Sequence, residues 1–252
     1  MSRGRLIVLT DLDDTLFASE RSLPDDAARV KLAAVDGHGA PLSFQTHQQR
    51  TLWDLFSGAA DLIIPVTGRT SYALDRVSLP FPGGYAVVSH GALVTYEGKV
   101  LPVWQSRLAP QLKGARLAIS RACADLCEAL PREYPHLQFT LRQLEDLSVP
   151  VYLSIKAAET LPVEVHGLLS RIAHAHGLTL HANTRNAALR PPYTCKAEAC
   201  RFLLEEVIQR QPEDTLIALG DSLSDLRFMT ISDMAVIPTR SQLWNSLKDL
   251  NQ

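Results

Sequence analysis

Residues 6–17 read LIVLTDLDDTLF, an aliphatic and β-branched run that ends in Asp11, Asp13, Asp14 and Thr15. Carboxylates concentrated at the end of an apolar segment can hold a cation, move protons or attack an electrophile. Simpler uses fit less well. A calcium-binding EF-hand loop counted from Asp11 needs Gly at its sixth position and Glu at its twelfth, and Leu16 and Ser22 stand there. A helix cap or turn uses one Asp or one Thr and gives no reason for two further carboxylates.

Two other apolar runs end in polar chemistry. DLIIPV leads into Thr67-Gly68-Arg69, and TLIAL leads into Gly220-Asp221-Ser222. Open α/β sheets bind ligands beyond the carboxyl ends of their strands, so the three clusters can share one crevice. Asp11, Asp13 and Asp221 would then crowd together and raise one another's pKa unless a cation sat among them, and hard oxygen donors call for Mg²⁺. Lys196, at the start of a predicted helix, can add a second positive charge; taken alone it reads as a solvated helix-start lysine.

The elements that would position these residues alternate. RLIVLT, DLIIPV and YAVVS are separated by predicted helices near 46–57 and 70–77. After the middle of the chain come a helix near 196–210, TLIALG, a helix near 223–229, DMAVI and a final helix near 241–250. Strands apolar on both faces and alternating with helices indicate a Rossmann-like parallel sheet. Between the two halves, a helix near 112–129, strands LQFTLR and PVYLSIKA, a helix near 163–176 and strand LTLHANT read as an inserted α+β domain with an antiparallel sheet. The insertion is placed at 106–187, leaving 1–105 and 188–252 as one α/β domain. Within the first part, Asp36-Gly37-His38-Gly39 predicts a β-hairpin over about 29–44, with a plain surface loop as the alternative.

The 252-residue chain is 46% hydrophobic with a formal net charge of −2. It has enough apolar side chain for a packed core and no basic surplus, so nucleic acid is not expected as a partner. Cys123, Cys127, Cys195 and Cys200 form no CxxC pair and no zinc spacing, as expected of buried thiols in a reduced compartment. Without a signal-peptide core or a stretch long enough to span a bilayer, the chain is expected to be cytoplasmic with no membrane partner. Its oligomeric state is left open.

Asp11-Leu12-Asp13-Asp14-Thr15, then Thr67, Lys196 and Gly220-Asp221-Ser222-Leu223-Ser224-Asp225, resemble the four ordered motifs of the haloacid dehalogenase (HAD) superfamily of phosphatases. The insertion between the second and third motifs is similar to the C2-type cap of its IIB branch, which includes Cof-like and sucrose-phosphatase-like enzymes. The resemblance implies that Asp11 is the nucleophile, forming an aspartyl-phosphate, and that Asp13 is the general acid and base with its side chain free for proton transfer. It implies that Thr67 and Lys196 serve the phosphoryl group, with Gly68 and Arg69 beside it. Mg²⁺ would be held by the Asp11 side chain, the Asp13 backbone carbonyl and Asp221, with Asp225 supporting the metal or Lys196. A segment just after the nucleophile forms a flap in this fold, which places the 29–44 hairpin beside the site.

Two phrases depart from the family pattern: Ser224 stands where Asn is common, and Ser89-His90-Gly91-Ala92 replaces an Asn-Gly-Ala phrase. His90 is therefore a candidate substrate contact, against a purely structural role. GDSLSD also resembles the serine block of GDSL esterases, but no histidine follows His181 to act as its base. A non-catalytic phosphate-binding regulator is the other alternative class. In the insertion, Tyr134, Phe139 and Tyr152 are few aromatics for gripping a base, while Arg142, Gln143, Lys156, His181, Asn183 and Arg185 offer polar partners. With the resemblance, this favours a small sugar phosphate over a nucleotide or pyridoxal phosphate, with Lys156 and Asn183 as substrate contacts.

Overall fold

The structure is a computed structural model that describes residues 3–20, 22–23, 27–158, 160–182 and 186–249. The chain divides into two compact units, 1–101 with 195–252, and 102–194.

The first unit begins with β1 (Leu6–Thr10), buried along nearly its whole length. The short β2 (Ala18–Ser19), β3 (Lys31–Val35) and β4 (Pro41–Gln45) form a three-stranded sheet in the order β2-β4-β3. The predicted hairpin is β3–β4. Its turn is held by Asp36, whose carboxylate accepts from the His38 and Ala40 amides at 2.8 and 2.9 Å. Helix α1 (His47–Ala59) starts where Thr46 and Gln49 form a capping box, and it buries Trp53 and Phe56 against β1 and its neighbours. β5 (Leu62–Pro65) follows, then α2 (Ser71–Leu74), a single turn where the sequence predicts a helix to 77. β6 (Tyr85–Val88), β7 (Leu93–Tyr96) and β8 (Lys99–Val100) make an antiparallel meander, the last two absent from the sequence reading.

The second unit opens with α3 (Pro102–Glu133), one continuous helix with Pro110 inside it. β9 (Phe139–Asp146), β10 (Val149–Ala157), α4 (Val163–Ala175), β11 (Thr179–Ala182) and β12 (Asn186–Arg190) complete it. The antiparallel order is β11-β12-β10-β9. Ile119, Leu126 and Leu130 of α3 and Val165, Leu169 and Ile172 of α4 pack on Leu153, Ile155, Ala187 and Leu189 of the sheet. The sequence gives no sign of β12: NAALR is alanine-rich and runs into Pro191-Pro192, so local propensity argues against a strand that pairing with β10 and β11 creates. Because α3 starts at Pro102 and β12 joins this sheet, the division falls at 101/102 and 194/195, against 106 and 187 from the sequence.

The chain returns to the first unit with α5 (Lys196–Phe202), which widens into a π turn at Leu203–Val207. β13 (Thr215–Leu219), α6 (Leu223–Met229), β14 (Met234–Val236) and α7 (Gln242–Asp249) follow. The central sheet runs β14-β13-β1-β5 with every pair parallel. No helix among the described residues is long and apolar enough to cross a membrane.

Candidate active site

The central sheet delivers three polar loops to one end. The Asp11 amide donates to the Leu219 carbonyl at 2.9 Å and the Val66 amide to Thr10 at 2.7 Å, so the chain leaves β1, β5 and β13 at the same level. Asp11, Thr67 and Asp221 therefore emerge side by side, as strand-end binding requires. Thr67 is buried beneath the surface and Asp11 nearly so.

Lys196 is the hub. Its ammonium donates to Asp11 Oδ1 and to Asp225 Oδ1, both at 2.7 Å, and all three side chains are at least nine-tenths buried. The second oxygen of Asp225 accepts from the Ser222 amide at 3.1 Å and the Ser222 hydroxyl at 2.6 Å, closing the capping box of α6. Asp225 thus has both oxygens committed and acts by fixing Lys196 and the Asp221 loop. Burial alone would lower the Lys196 pKa, but Asp11 and Asp225 outweigh it and keep the ammonium charged. The burden falls on the carboxylates. Burial pushes Asp11 up to about 8, against the pull of Lys196 and with added repulsion from Asp225 and Asp221. Burial, then Asp225 and Asp14, push Asp221 up to about 7.

Carboxylate oxygens of Asp11, Asp221 and Asp225 lie within 4.8 Å of one another. Three carboxylates facing one ammonium leave a formal charge of −2, and the donors are hard oxygens, so the site suits a divalent cation of the Mg²⁺ type. Thr15 Oγ1 lies 3.5 Å from Asp221 Oδ1. Asp14 takes a left-handed backbone at φ 61°, which lets its amide reach the Phe17 carbonyl at 2.7 Å and turns the loop tightly back on itself.

Asp13 differs from its expected free state. Both carboxylate oxygens are held by Arg69, with Nε to Oδ2 at 2.8 Å and Nη2 to Oδ1 at 2.7 Å. Each oxygen keeps a second acceptor site, and the Asp13 side chain is 46% exposed. Arg69, which the sequence places among the substrate-binding residues, has its guanidinium turned onto Asp13, 5.0 Å from the Phe17 ring centroid and 3.4 Å from Ser43 Oγ. Neither Phe17 nor Ser43 could be picked out as its partner from sequence, since each looks like an ordinary strand residue.

Thr67 Oγ1 accepts from the Arg69 amide at 3.1 Å, and the Thr67 carbonyl accepts from the His90 amide at 3.0 Å. Gly68 gives His90 room: a Cβ on it would fall 2.4 Å from His90 Cε1, so the imidazole would have to shift. His90 therefore lies directly on the Thr67-Gly68-Arg69 turn. In the second unit, Lys156 is exposed on β10, opposite Thr140 on one side and Asn186 on the other. Gln143 is bonded to Ser120 of α3 at 3.1 Å, and so sits toward the helices. Asn183 and Arg185 lie outside the described residues. Ser222, the rival nucleophile of an esterase, has its hydroxyl bonded to Asp225 and, at 2.8 Å, to Ser224.

No protein-family model matches the chain, and no curated protein matches it in sequence. Solved structures do match. The sucrose-phosphatase from Synechocystis sp., in complex with sucrose and phosphate, is 16% identical with a TM-score of 0.60, covering 99% of this chain and 88% of that one. A trehalose-6-phosphate phosphatase related protein is 18% identical with a TM-score of 0.54, covering 92% and 85%. At these identities the likeness is one of fold: the chain shares with these structures an α/β core carrying an inserted α+β unit. A haloacid dehalogenase-like hydrolase from Bacillus subtilis, 16% identical with a TM-score of 0.51, covers 98% and 86%. In the α/β core the Asp11, Thr67, Lys196 and Asp221 positions occupy one end of the parallel sheet, and Asp225 and Ser222 brace them from behind.

Proposed function

We propose that this protein is a Mg²⁺-dependent phosphomonoester hydrolase acting on a small phosphorylated metabolite, most closely a sugar phosphate, through an aspartyl-phosphate on Asp11. The observation that carries the reading is the buried Lys196 held between Asp11 and Asp225 beside Asp221. Such a cluster serves a dianionic phosphoryl group and its cation, whereas a structural lysine has no need of a strand-end acidic pocket.

In the proposed cycle an Asp11 oxygen attacks phosphorus and the ester P–O bond breaks, with Asp13 giving its proton to the leaving oxygen. Asp13 then takes a proton from water, the water oxygen bonds to phosphorus, and the P–O bond to Asp11 breaks to release inorganic phosphate. Thr67 donates its hydroxyl to a phosphoryl oxygen, the Gly68 backbone lines the same turn, and Lys196 offsets the charge of Asp11 and the phosphate. Asp11, the Asp13 carbonyl and Asp221 are the groups suited to Mg²⁺, which when bound neutralises charge developing on the phosphoryl oxygens. His90, which packs on Gly68, is read as a contact of the substrate, and Lys156 and Asn183 are read as contacts of the rest of the molecule. The 102–194 unit is read as a C2-type cap, and the protein as cytoplasmic with neither nucleic acid nor membrane as partner.

A sugar phosphate is preferred over a nucleotide or pyridoxal phosphate because two of the matched structures are described as a sucrose-phosphatase and a trehalose-6-phosphate phosphatase related protein. A regulator that binds phosphate without turnover is the second class, and competent residues at all four motif positions weigh against it. The test is hydrolysis of an aryl phosphate with and without Mg²⁺. Turnover that needs the metal and is lost in Asp11→Asn supports the enzyme; tight phosphate binding with no turnover by the wild type supports the regulator.

A further inference from the structure

Arg69 is connected to more of its surroundings than a substrate ligand needs to be. Its guanidinium grips both oxygens of Asp13, faces the Phe17 ring and reaches toward Ser43, and its side chain is 11% exposed. Its backbone amide is tied to Thr67 Oγ1 and its carbonyl to the Ser89 amide at 2.7 Å. Phe17 and Ser43 are themselves wholly buried, one in the loop after β1 and the other on β4 of the hairpin sheet. A planar fork clamped on a carboxylate fixes that carboxylate's rotamer as a lone hydrogen bond cannot.

We propose that Arg69 is the positioning residue of the acid and base Asp13, and that Ser43 on the hairpin strand β4 helps to hold its guanidinium in that position. This rests on the phosphatase reading above. Arg69 takes one acceptor site on each Asp13 oxygen, and with the Asp13 side chain 46% exposed the other sites stay open to a leaving group or to water. The fork therefore fixes the rotamer of Asp13 without blocking proton transfer. Ser43 Oγ, buried on β4, accepts from the same Nη2 at 3.4 Å and so helps to hold the guanidinium in place.

The experiment compares kcat and KM for nitrophenyl phosphate and for an alkyl phosphate in the wild type, Arg69→Met, Arg69→Lys, Ser43→Ala, Asp13→Asn and the double variant Asp13→Asn with Arg69→Met. A mispositioned acid costs most with the poorer leaving group. Arg69→Met is expected to lower kcat about 100-fold for the alkyl ester and about tenfold or less for the aryl ester, with KM within about threefold. Arg69→Lys, which keeps the charge but not the fork, falls between wild type and Arg69→Met. Ser43→Ala lowers alkyl-ester kcat about threefold to tenfold with the aryl ester little changed. In the Asp13→Asn background, Arg69→Met adds nothing further, because it acts through Asp13.

A rise in KM with kcat retained would make Arg69 a substrate ligand and overturn the proposal. Equal losses for the two esters, or losses that multiply in the double variant, would do the same. If Arg69→Met fails to fold, Arg69→Lys and Ser43→Ala carry the same leaving-group comparison. A wild type inactive on every phosphate ester sinks the phosphatase reading first and this one with it, an outcome visible before any variant is made.

Discussion

Gly91 and Lys196 meet backbone to backbone: a Cβ at Gly91 would lie 2.8 Å from the Lys196 amide nitrogen and 2.4 Å from the Cys195 carbonyl oxygen. Gly91 also closes a run of three left-handed residues, with φ 52° at Ser89, 58° at His90 and 93° at Gly91. The turn after β6 thus rests directly on the first residue of α5. Gly91→Ala combines overlap with a φ that L-residues rarely adopt, and should cost about 1–3 kcal/mol of stability. Because the displaced backbone is that of Lys196, kcat for an aryl phosphate should fall about tenfold even at temperatures where the variant is fully folded. Stability loss with unchanged kcat would confine Gly91 to packing.

The acidic cluster should respond to its cation without any substrate. Binding of Mg²⁺ to the folded state alone raises stability by about 2.7 kcal/mol at a hundredfold excess over Kd, so thermal unfolding should shift upward as MgCl₂ replaces an equal ionic strength of NaCl. Asp221→Asn removes a charged donor from the group and should abolish the shift. In the metal-free protein the same substitution should be neutral or stabilising, because burial and like charges push the Asp221 carboxyl up to about 7 and so disfavour its ionised form. A Tm shift that survives Asp221→Asn would place the cation elsewhere.

Far from the site, Asp214 ties the N-terminal approach of β1 to that of β13. Its carboxylate accepts from the Arg5 amide at 2.8 Å, from Arg5 Nη2 at 2.6 Å and from the Gln211 amide at 2.9 Å. The Arg5 guanidinium and these amides hold its pKa well below the usual carboxylate range. A depressed folded pKa contributes stability that is complete above the unfolded value near about 3.9 and is lost as pH falls through the folded value. Asp214→Asn should therefore cost about 2–3 kcal/mol at pH 7 in urea unfolding. The gap between variant and wild type should narrow as pH falls below about 4. A gap independent of pH would assign the loss to shape and not to charge.

Substrate choice provides a separate check. In a panel of phosphorylated metabolites at equal concentration, sugar phosphates should give the highest kcat/KM. Lys156→Ala should lower that preference by about tenfold, or about 1.4 kcal/mol, more than it lowers aryl-phosphate hydrolysis. A nucleotide leading the panel would redirect the substrate assignment and leave the chemistry at Asp11 untouched.

Much of the site was legible in one dimension because strand ends are. LIVLT, DLIIP and TLIAL are apolar on both faces, as strands of a covered parallel sheet are, and the polar residues just beyond them gather at that sheet's carboxyl edge. Lys196 and Asp11 lie 185 residues apart, yet their meeting followed from motif order on that sheet. The helix α6 was also readable, since Ser222 and Asp225 announce its cap locally. What the tertiary structure alone decided is which way side chains turn once there. Arg69 could have faced solvent or a phosphate, and it faces Asp13 because Phe17 and Ser43, from two other segments, enclose it on the remaining sides. β12 exists because β10 and β11 offer it unpaired backbone, against its own composition. Gly91 matters because α5 begins against it. These are contacts between segments whose separation along the chain carries no periodic signal, so they become visible only when packing has brought the segments together.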